Sequence, residues 1–323
     1  MTDLQHLEVA DLDAGEIFSG QPSGRMVKGY AAPCAHTPAV DPDYLFHDAM
    51  RELVVWFMNP SDPLYVFGPT GSGKSSLIRQ VAAKLNYPVF EITAHGRLEF
   101  ADLAGHLTVE KGSMRFQHGP LALAMTFGGL FLLNEIDLLD PATAAGLNGV
   151  LDGSPLCLPE NGGEVICRHP MFRFVATANT NGGSDDSGLY QGTLRQNLAF
   201  MDRFWLCELG YPDPDAETRL LERLAPSLPD DLRRTMVDYA NQVRRLFIGE
   251  GDNQQPGETI EITFSTRTLI RWADLTQRFQ PLARQGVQPV IHALDRALGF
   301  RASRGTRALL HELGQRMFAP PAG

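Results

Sequence analysis

The sequence predicts an α/β fold, a mostly parallel sheet flanked by helices and interrupted by β-hairpin insertions, followed by a small all-helical lid domain. Three observations predict it. Short apolar runs alternate with helical patterns between Pro63 and about Gly210. A glycine-rich phosphate-loop pattern sits between one such run and one such helix, and the chain turns continuously helical beyond Pro212.

Residues 1–42 are rich in Gly, Pro and Ala without sustained periodicity, and read as an extended arm lying over a folded body or reaching to a neighbour. From Asp41, DPDYLFHDAMRELVVWFMNP reads as an amphipathic helix, with Leu53, Val54, Phe57 and Met58 at helical spacing and Pro60 beyond its end. The α/β domain is placed at 43–211. Its runs are PLYVFG, SSLIRQVAAKL, PVFEIT, LALAMTF, GLFLLNE, ATAAGLNGVLD and FRFVATAN. HLTVEKGSMRF and PLCLPENGGEVICR alternate around Lys111-Gly112 and Asn161-Gly162, which predicts two hairpins. The lid domain with its C-terminal helices is placed at 212–323, beginning with DAETRLLERLA and PDDLRRTMVDYANQVRRLF and continuing through STRTLIRWADLTQRF and PVIHALDRALGF.

Composition narrows the function. Among 323 residues, 28 basic against 38 acidic side chains give a net charge of -10, which disfavours generic nucleic-acid binding. The acidic opening lacks the basic leader of a signal peptide, and the apolar stretch Gly119 to Leu133 is shorter than the ~20 residues of a membrane helix. A soluble, cytoplasmic protein is expected. Cys34, Cys157, Cys167 and Cys207 show no CxxC spacing, so they read as reduced packing residues, although Cys157 and Cys167 could face each other across a hairpin.

GPTGSGKS matches GxxxxGK[ST] in full, and it has the preceding strand and following helix that the chemistry needs. Gly68, Pro69, Thr70, Gly71, Ser72 and Gly73 let the backbone wrap a phosphate so that amide groups point at it. Lys74 adds charge at the β- and γ-phosphates of ATP, Ser75 offers a hydroxyl to Mg²⁺, and Ser76 follows in the helix. The second element, GLFLLNEID, is an apolar strand ending in Glu135, which is placed to polarise an attacking water. Asn134 stands beside it where such sites normally carry aspartate. An amide oxygen brings no negative charge, so Mg²⁺ is expected to be held less firmly by Ser75 and Asn134, with Asp137 a possible helper.

The order of phosphate loop, LLNE, FRFVATANT, FMDRFW and FSTRTL resembles the MoxR branch of AAA+ ATPases, which includes the small subunit of aerobic cobaltochelatase. DPDYLF, VAAKLNYP, HPMFRFVATANT and SGLYQGT extend the likeness over about residues 40–300. The resemblance implies a homo-oligomeric ring, expected to be a hexamer, in which ATP hydrolysis tilts the lid and moves a partner in a chaperone-like way. It makes Asn179 the sensor that orients the lytic water, and Arg203 the arginine finger inserted into a neighbour's site, with Arg195 the competitor and an ion pair to Asp202 or an exposed helix-end charge the bland alternative. It also makes Arg267 a second sensor, acting on its own site or a neighbour's. The two hairpins would face the pore or the partner, with Met114 and Phe116 either gripping substrate or forming an ordinary half-buried face. The implied partners are a protein with a von Willebrand factor A-type (VWA) domain and a large chelatase subunit. Weak hydrolysis in a nucleotide-dependent assembly switch is the alternative that Asn134 motivates. A nucleic-acid motor or a GTPase is disfavoured by the acidic balance and by the lack of an NKxD-type motif.

Overall fold

The computed structural model describes residues 2–59, 62–110, 112–183, 192–248 and 260–319. It divides into two compact units, one formed by residues up to Pro69 and from Lys74 to Leu209, the other by Thr70–Gly73 and the residues from Gly210 onward.

The first unit opens with β1 (Val9–Asp13), α1 (Ala14–Ser19) and β2 (Met26–Tyr30), the two strands pairing antiparallel. The segment read as an arm thus contains a folded hairpin. It is held because Val27 and Tyr30 are each only 1% exposed and the Tyr30 hydroxyl donates to the Gly128 carbonyl at 2.9 Å. Helix α2 (Met50–Met58) begins later than Asp41, since Asp43 N donates to Asp41 Oδ1 at 2.9 Å and commits that stretch to a turn. Leu53, Val54, Trp56 and Phe57 are its buried residues.

Next come β3 (Leu64–Phe67), α3 (Lys74–Lys84), β4 (Val89–Thr93) and α4 (Phe100–Ala104). The first insertion is β5 (Gly105–Glu110) with β6 (Ser113–His118), followed by α5 (Pro120–Phe127), β7 (Leu130–Asn134) and α6 (Pro141–Leu151). The second insertion is β8 (Leu156–Leu158) with β9 (Glu164–Ile166), and the unit ends with β10 (Arg173–Ala178), α7 (Leu198–Met201) and β11 (Trp205–Glu208). Both insertions are antiparallel hairpins. Lys111, at the tip of the first, and residues 187–191 of the SGLYQGT motif lie outside the described residues.

The main sheet runs β11-β3-β10-β7-β4, and every adjacent pair is parallel. Its three central strands, β3, β10 and β7, are buried almost throughout because both faces are covered, whereas the edge strands β4 and β11 carry exposed residues. Leu130 and Leu132 enter one core with Leu64, Val66 and Val175, whereas Phe131 and Leu133 enter the other with Tyr65, Phe174 and Ala176. This is the two-residue alternation of a strand, here apolar on both sides. Cys157 stands opposite Val165 in the second hairpin rather than opposite Cys167.

The second unit contains α8 (Pro214–Leu224), α9 (Asp230–Ile248), α10 (Thr266–Phe279), α11 (Pro289–Ala297) and α12 (Arg304–Met317). A buried ion pair organises it. Arg244 donates to Glu217 twice, at 2.6 and 2.8 Å, and the two side chains are 5% and 0% exposed. Glu217 also accepts from Thr266 Oγ1 at 2.7 Å, and Arg244 Nε donates to the Phe264 carbonyl at 2.7 Å. The pair therefore pins the chain on both sides of Ser265, the residue that caps α10 by accepting from Thr268 N.

Candidate nucleotide site

The phosphate loop leaves β3 and enters α3 at Lys74. Gly68 cannot be replaced cheaply: at φ 149° a Cβ there would lie 2.1 Å from the Leu209 carbonyl oxygen. Gly71 and Gly73 also hold positive φ, 73° and 96°. The backbone trace that brings amide groups inward is therefore one that side chains disfavour.

Lys74 Nζ donates to the carbonyls of Gly68 and Pro69 at 2.9 and 3.0 Å and to Asn179 Oδ1 at 3.1 Å. These acceptors are all neutral. Burial pushes the ammonium down to about 8, and the charges of Asp137 and Glu135 oppose that fall. A half-buried cation on neutral oxygens suits an anionic ligand, and the contact to Asn179 brings the predicted sensor to the lysine.

Ser75 Oγ donates to Asn134 Oδ1 at 2.5 Å, and Thr177 Oγ1 donates to the same oxygen at 3.2 Å. Thr177 also accepts from Glu135 N at 3.3 Å. Glu135 adopts left-handed backbone geometry, φ 56° and ψ 42°, at a cost of ~1–2 kcal/mol for a residue with a Cβ. Strand β7 is buried on both faces, and at the turn that ends it Glu135 is exposed between the buried Asn134 and Ile136. Its carboxylate thus stands at the open end of β7 rather than in the core.

Asp137 spends one carboxylate oxygen on the backbone of the neighbouring strand end. It is 0% exposed, and its Oδ2 accepts from the backbone N–H of Asn179 at 2.8 Å and of Thr180 at 3.3 Å. Burial raises its pKa, against those hydrogen bonds. The Asp137 carbonyl also accepts from Leu194 N at 2.7 Å. Asp137 braces the end of β10, where Asn179 sits. Its other carboxyl oxygen, Oδ1, is buried without a hydrogen-bond partner among the described residues.

Arg203 is paired with Asp152, not with Asp202. Nε donates to Oδ1 at 2.7 Å and Nη2 to Oδ2 at 2.9 Å, because α7 is a single turn that delivers Arg203 to the C-terminal end of α6. Arg195 is exposed. Arg267 is the second residue of α10, exposed, in the second unit. On the first hairpin, Met114 is 69% exposed and pairs with Val109, itself 74% exposed, whereas Phe116 packs against the core. His118 and Glu164 Oε2 lie 2.7 Å apart and tie the two hairpins together.

Sequence reasoning did not single out Thr177 or Asp152. Thr177 had a usable signal, since a strand places it on the same face as Asn179, two residues on.

Residues 63–204 match the AAA domain (dynein-related subfamily), and residues 217–317 match the CbbQ/NirQ/NorQ C-terminal family. The chain is 31% identical over 290 residues to the aerobic cobaltochelatase subunit CobS of Sinorhizobium sp, covering 87% of this chain and 85% of that protein. The chain belongs to the MoxR-type AAA+ ATPase family. Within this family it is also similar to protein NorQ of Paracoccus denitrificans, 28% identical over 223 residues, covering 69% of this chain and 76% of NorQ. Protein CbbQ of Hydrogenophilus thermoluteolus is 27% identical over 222 residues, covering 68% of this chain and 76% of CbbQ.

Proposed function

We propose that this chain is the subunit of a homo-oligomeric ring that hydrolyses ATP and uses the hydrolysis to remodel or activate a partner protein, one carrying a VWA domain. One observation carries the ATPase half. The phosphate loop is knitted to two adjoining strand ends, by Lys74 to Asn179 after β10 and by Ser75 to Asn134 in β7. Those strand ends present Glu135 and Asn179 at the same end of a parallel sheet.

Each residue then has a task. Amides of the Gly68–Ser75 loop and the Lys74 ammonium bind the β- and γ-phosphates. Glu135 accepts the proton of the attacking water, and Asn179, held by Asp137 and Lys74, orients that water. Arg203 serves the site of a neighbouring copy, and Arg267 reads the phosphate from the lid. Ser75, whose hydroxyl hydrogen is committed to Asn134, keeps oxygen lone pairs that would face Mg²⁺, and Asn134, whose amide oxygen accepts from Ser75 and Thr177, would support the ion through Ser75. Bound Mg²⁺ would neutralise charge on the transferring phosphoryl group.

The VWA partner is what the family resemblance implies, and the relatives add a second possibility. One of them is named as a cobaltochelatase subunit, so a second reading makes this chain the ATPase subunit of such an enzyme, working with a large chelatase subunit. A third, favoured by Asn134, is a nucleotide-dependent assembly switch with weak hydrolysis. Steady-state ATPase measurement tests the first reading against the third. The parent chain turns over ATP with Mg²⁺, whereas Glu135→Gln binds ATP, accumulates as a stable ring and loses at least ~100-fold in turnover. Normal turnover by the glutamine variant would remove Glu135 from its role, and a silent parent would favour the switch.

A further inference from the structure

Arg203 is held more fully than an arginine at the end of a short helix needs to be. A guanidinium has five N–H groups. Nε and one Nη2 hydrogen are committed to the Asp152 carboxylate in a two-point contact, and Nη1 donates to the Ala199 carbonyl. That leaves one hydrogen on each Nη. A planar group fastened along one edge cannot turn about its last bond, so the remaining pair keeps a single direction. Asp152 and Arg203 line one open cavity of about 730 Å³, together with Arg168, Asp202 and Trp205.

Two roles for Asp152 are conceivable, presenting the guanidinium or withholding it. The pattern of contacts decides between them. A latch would occupy the hydrogens that a phosphate needs, yet the bonds to Asp152 take the Nε side and leave both terminal nitrogens with a hydrogen to give. An arginine so fixed has already lost its rotamer freedom before it meets an anion.

We propose that Asp152 is a positioning residue for Arg203, aiming the two remaining N–H groups at the phosphoryl group bound by a neighbouring copy of this chain. This rests on the reading of Arg203 as the residue that acts on a neighbour's site. Asp152 itself touches no phosphate. Its effect belongs to the copy that donates Arg203, not to the copy that holds the nucleotide.

The test uses the full chain in steady-state ATPase assays and in mixed rings. Asp152→Ala is expected to lower kcat about ten- to hundredfold with KM for ATP and ring size unchanged. Asp152→Glu should recover part of the loss, and the double variant Asp152→Ala/Arg203→Ala should be no slower than Arg203→Ala alone. Mixing Glu135→Gln with Arg203→Ala subunits should restore activity, because an intact Arg203 then meets an intact Glu135. Adding Asp152→Ala to the Glu135→Gln partner should cut that restoration, and adding it to the Arg203→Ala partner should not. Unchanged or increased turnover in Asp152→Ala, or equal restoration in both mixtures, would overturn the proposal. Normal turnover by Arg203→Ala would instead overturn the role of Arg203 itself, and the two failures are therefore distinct.

Discussion

Ser75 Oγ donates to Asn134 Oδ1 at 2.5 Å, which fastens the end of the phosphate loop to the end of the carboxylate strand. The same amide oxygen takes a second hydrogen bond from Thr177, so both of its lone pairs are engaged by hydroxyls. A carboxylate would satisfy both hydroxyls and keep lone pairs and charge for a cation.

Asn134→Asp should therefore lower the Mg²⁺ concentration needed for half-maximal ATPase by about tenfold, the lower end of what rearranged metal surroundings produce. A Mg²⁺ titration of both proteins at fixed ATP checks this. Unchanged Mg²⁺ dependence would mean that residue 134 contributes only through Ser75.

Lys74→Ala should abolish nucleotide binding rather than slow turnover. The half-buried ammonium rests on neutral oxygens, and its removal takes away the charge meant for phosphate as well as the contact that places Asn179. Isothermal titration with ATP and Mg²⁺ reads the loss directly. Retained affinity would relocate the phosphate site.

Much of this site was legible in the sequence because its parts are local. GPTGSGKS carries its own strand and helix, LLNE ends an apolar run, and both hairpins alternate about an Asn-Gly or Lys-Gly pair. The opening hairpin was not legible, because Gly- and Pro-rich segments mask a five-residue strand whose partner surface, the Gly128 carbonyl among it, lies far along the chain. Nor was the Arg203–Asp152 pair, since no periodicity connects a helix cap to an arginine fifty-one positions later. Asp137 sits in the motif, yet its part as a brace depends on backbone amides of another strand, which carry no side-chain signature.

Glu217→Ala should destabilise the second unit by about 3–5 kcal/mol, because it strands the Arg244 charge in a buried position. Glu217→Gln should cost less, since an amide can still accept from Arg244 and Thr266. Urea unfolding followed by tryptophan fluorescence measures both, Trp272 being buried in α10. Equal stability of the alanine variant would show that the pair contributes nothing to that helical packing.

Glu261 gives the second unit a pH dependence of definite sign. Its carboxylate accepts from Ser303 N at 2.7 Å and Thr306 Oγ1 at 2.6 Å, and these bonds, the Thr306 one foremost, hold it down to about 2. A depressed carboxylate pKa stabilises the fold fully above the ordinary value near 4.5, and that contribution is lost as pH falls toward 2. Glu261→Gln should flatten this acid limb in thermal melts between those limits while leaving neutral behaviour little changed. An identical limb in the variant would assign the acid sensitivity elsewhere.

The strand order places β3 between β10 and β11, so Leu64–Phe67 finds both of its neighbours only in residues that follow much later. During synthesis the phosphate loop emerges long before the sheet that supports it can close. Until β10 has left the ribosome, β3 has two open edges and an apolar sequence, a form prone to sticking, and one edge stays open until β11 follows. The strand that leads into the phosphate loop is therefore enclosed on both edges only when β11, the last strand of the unit, has arrived.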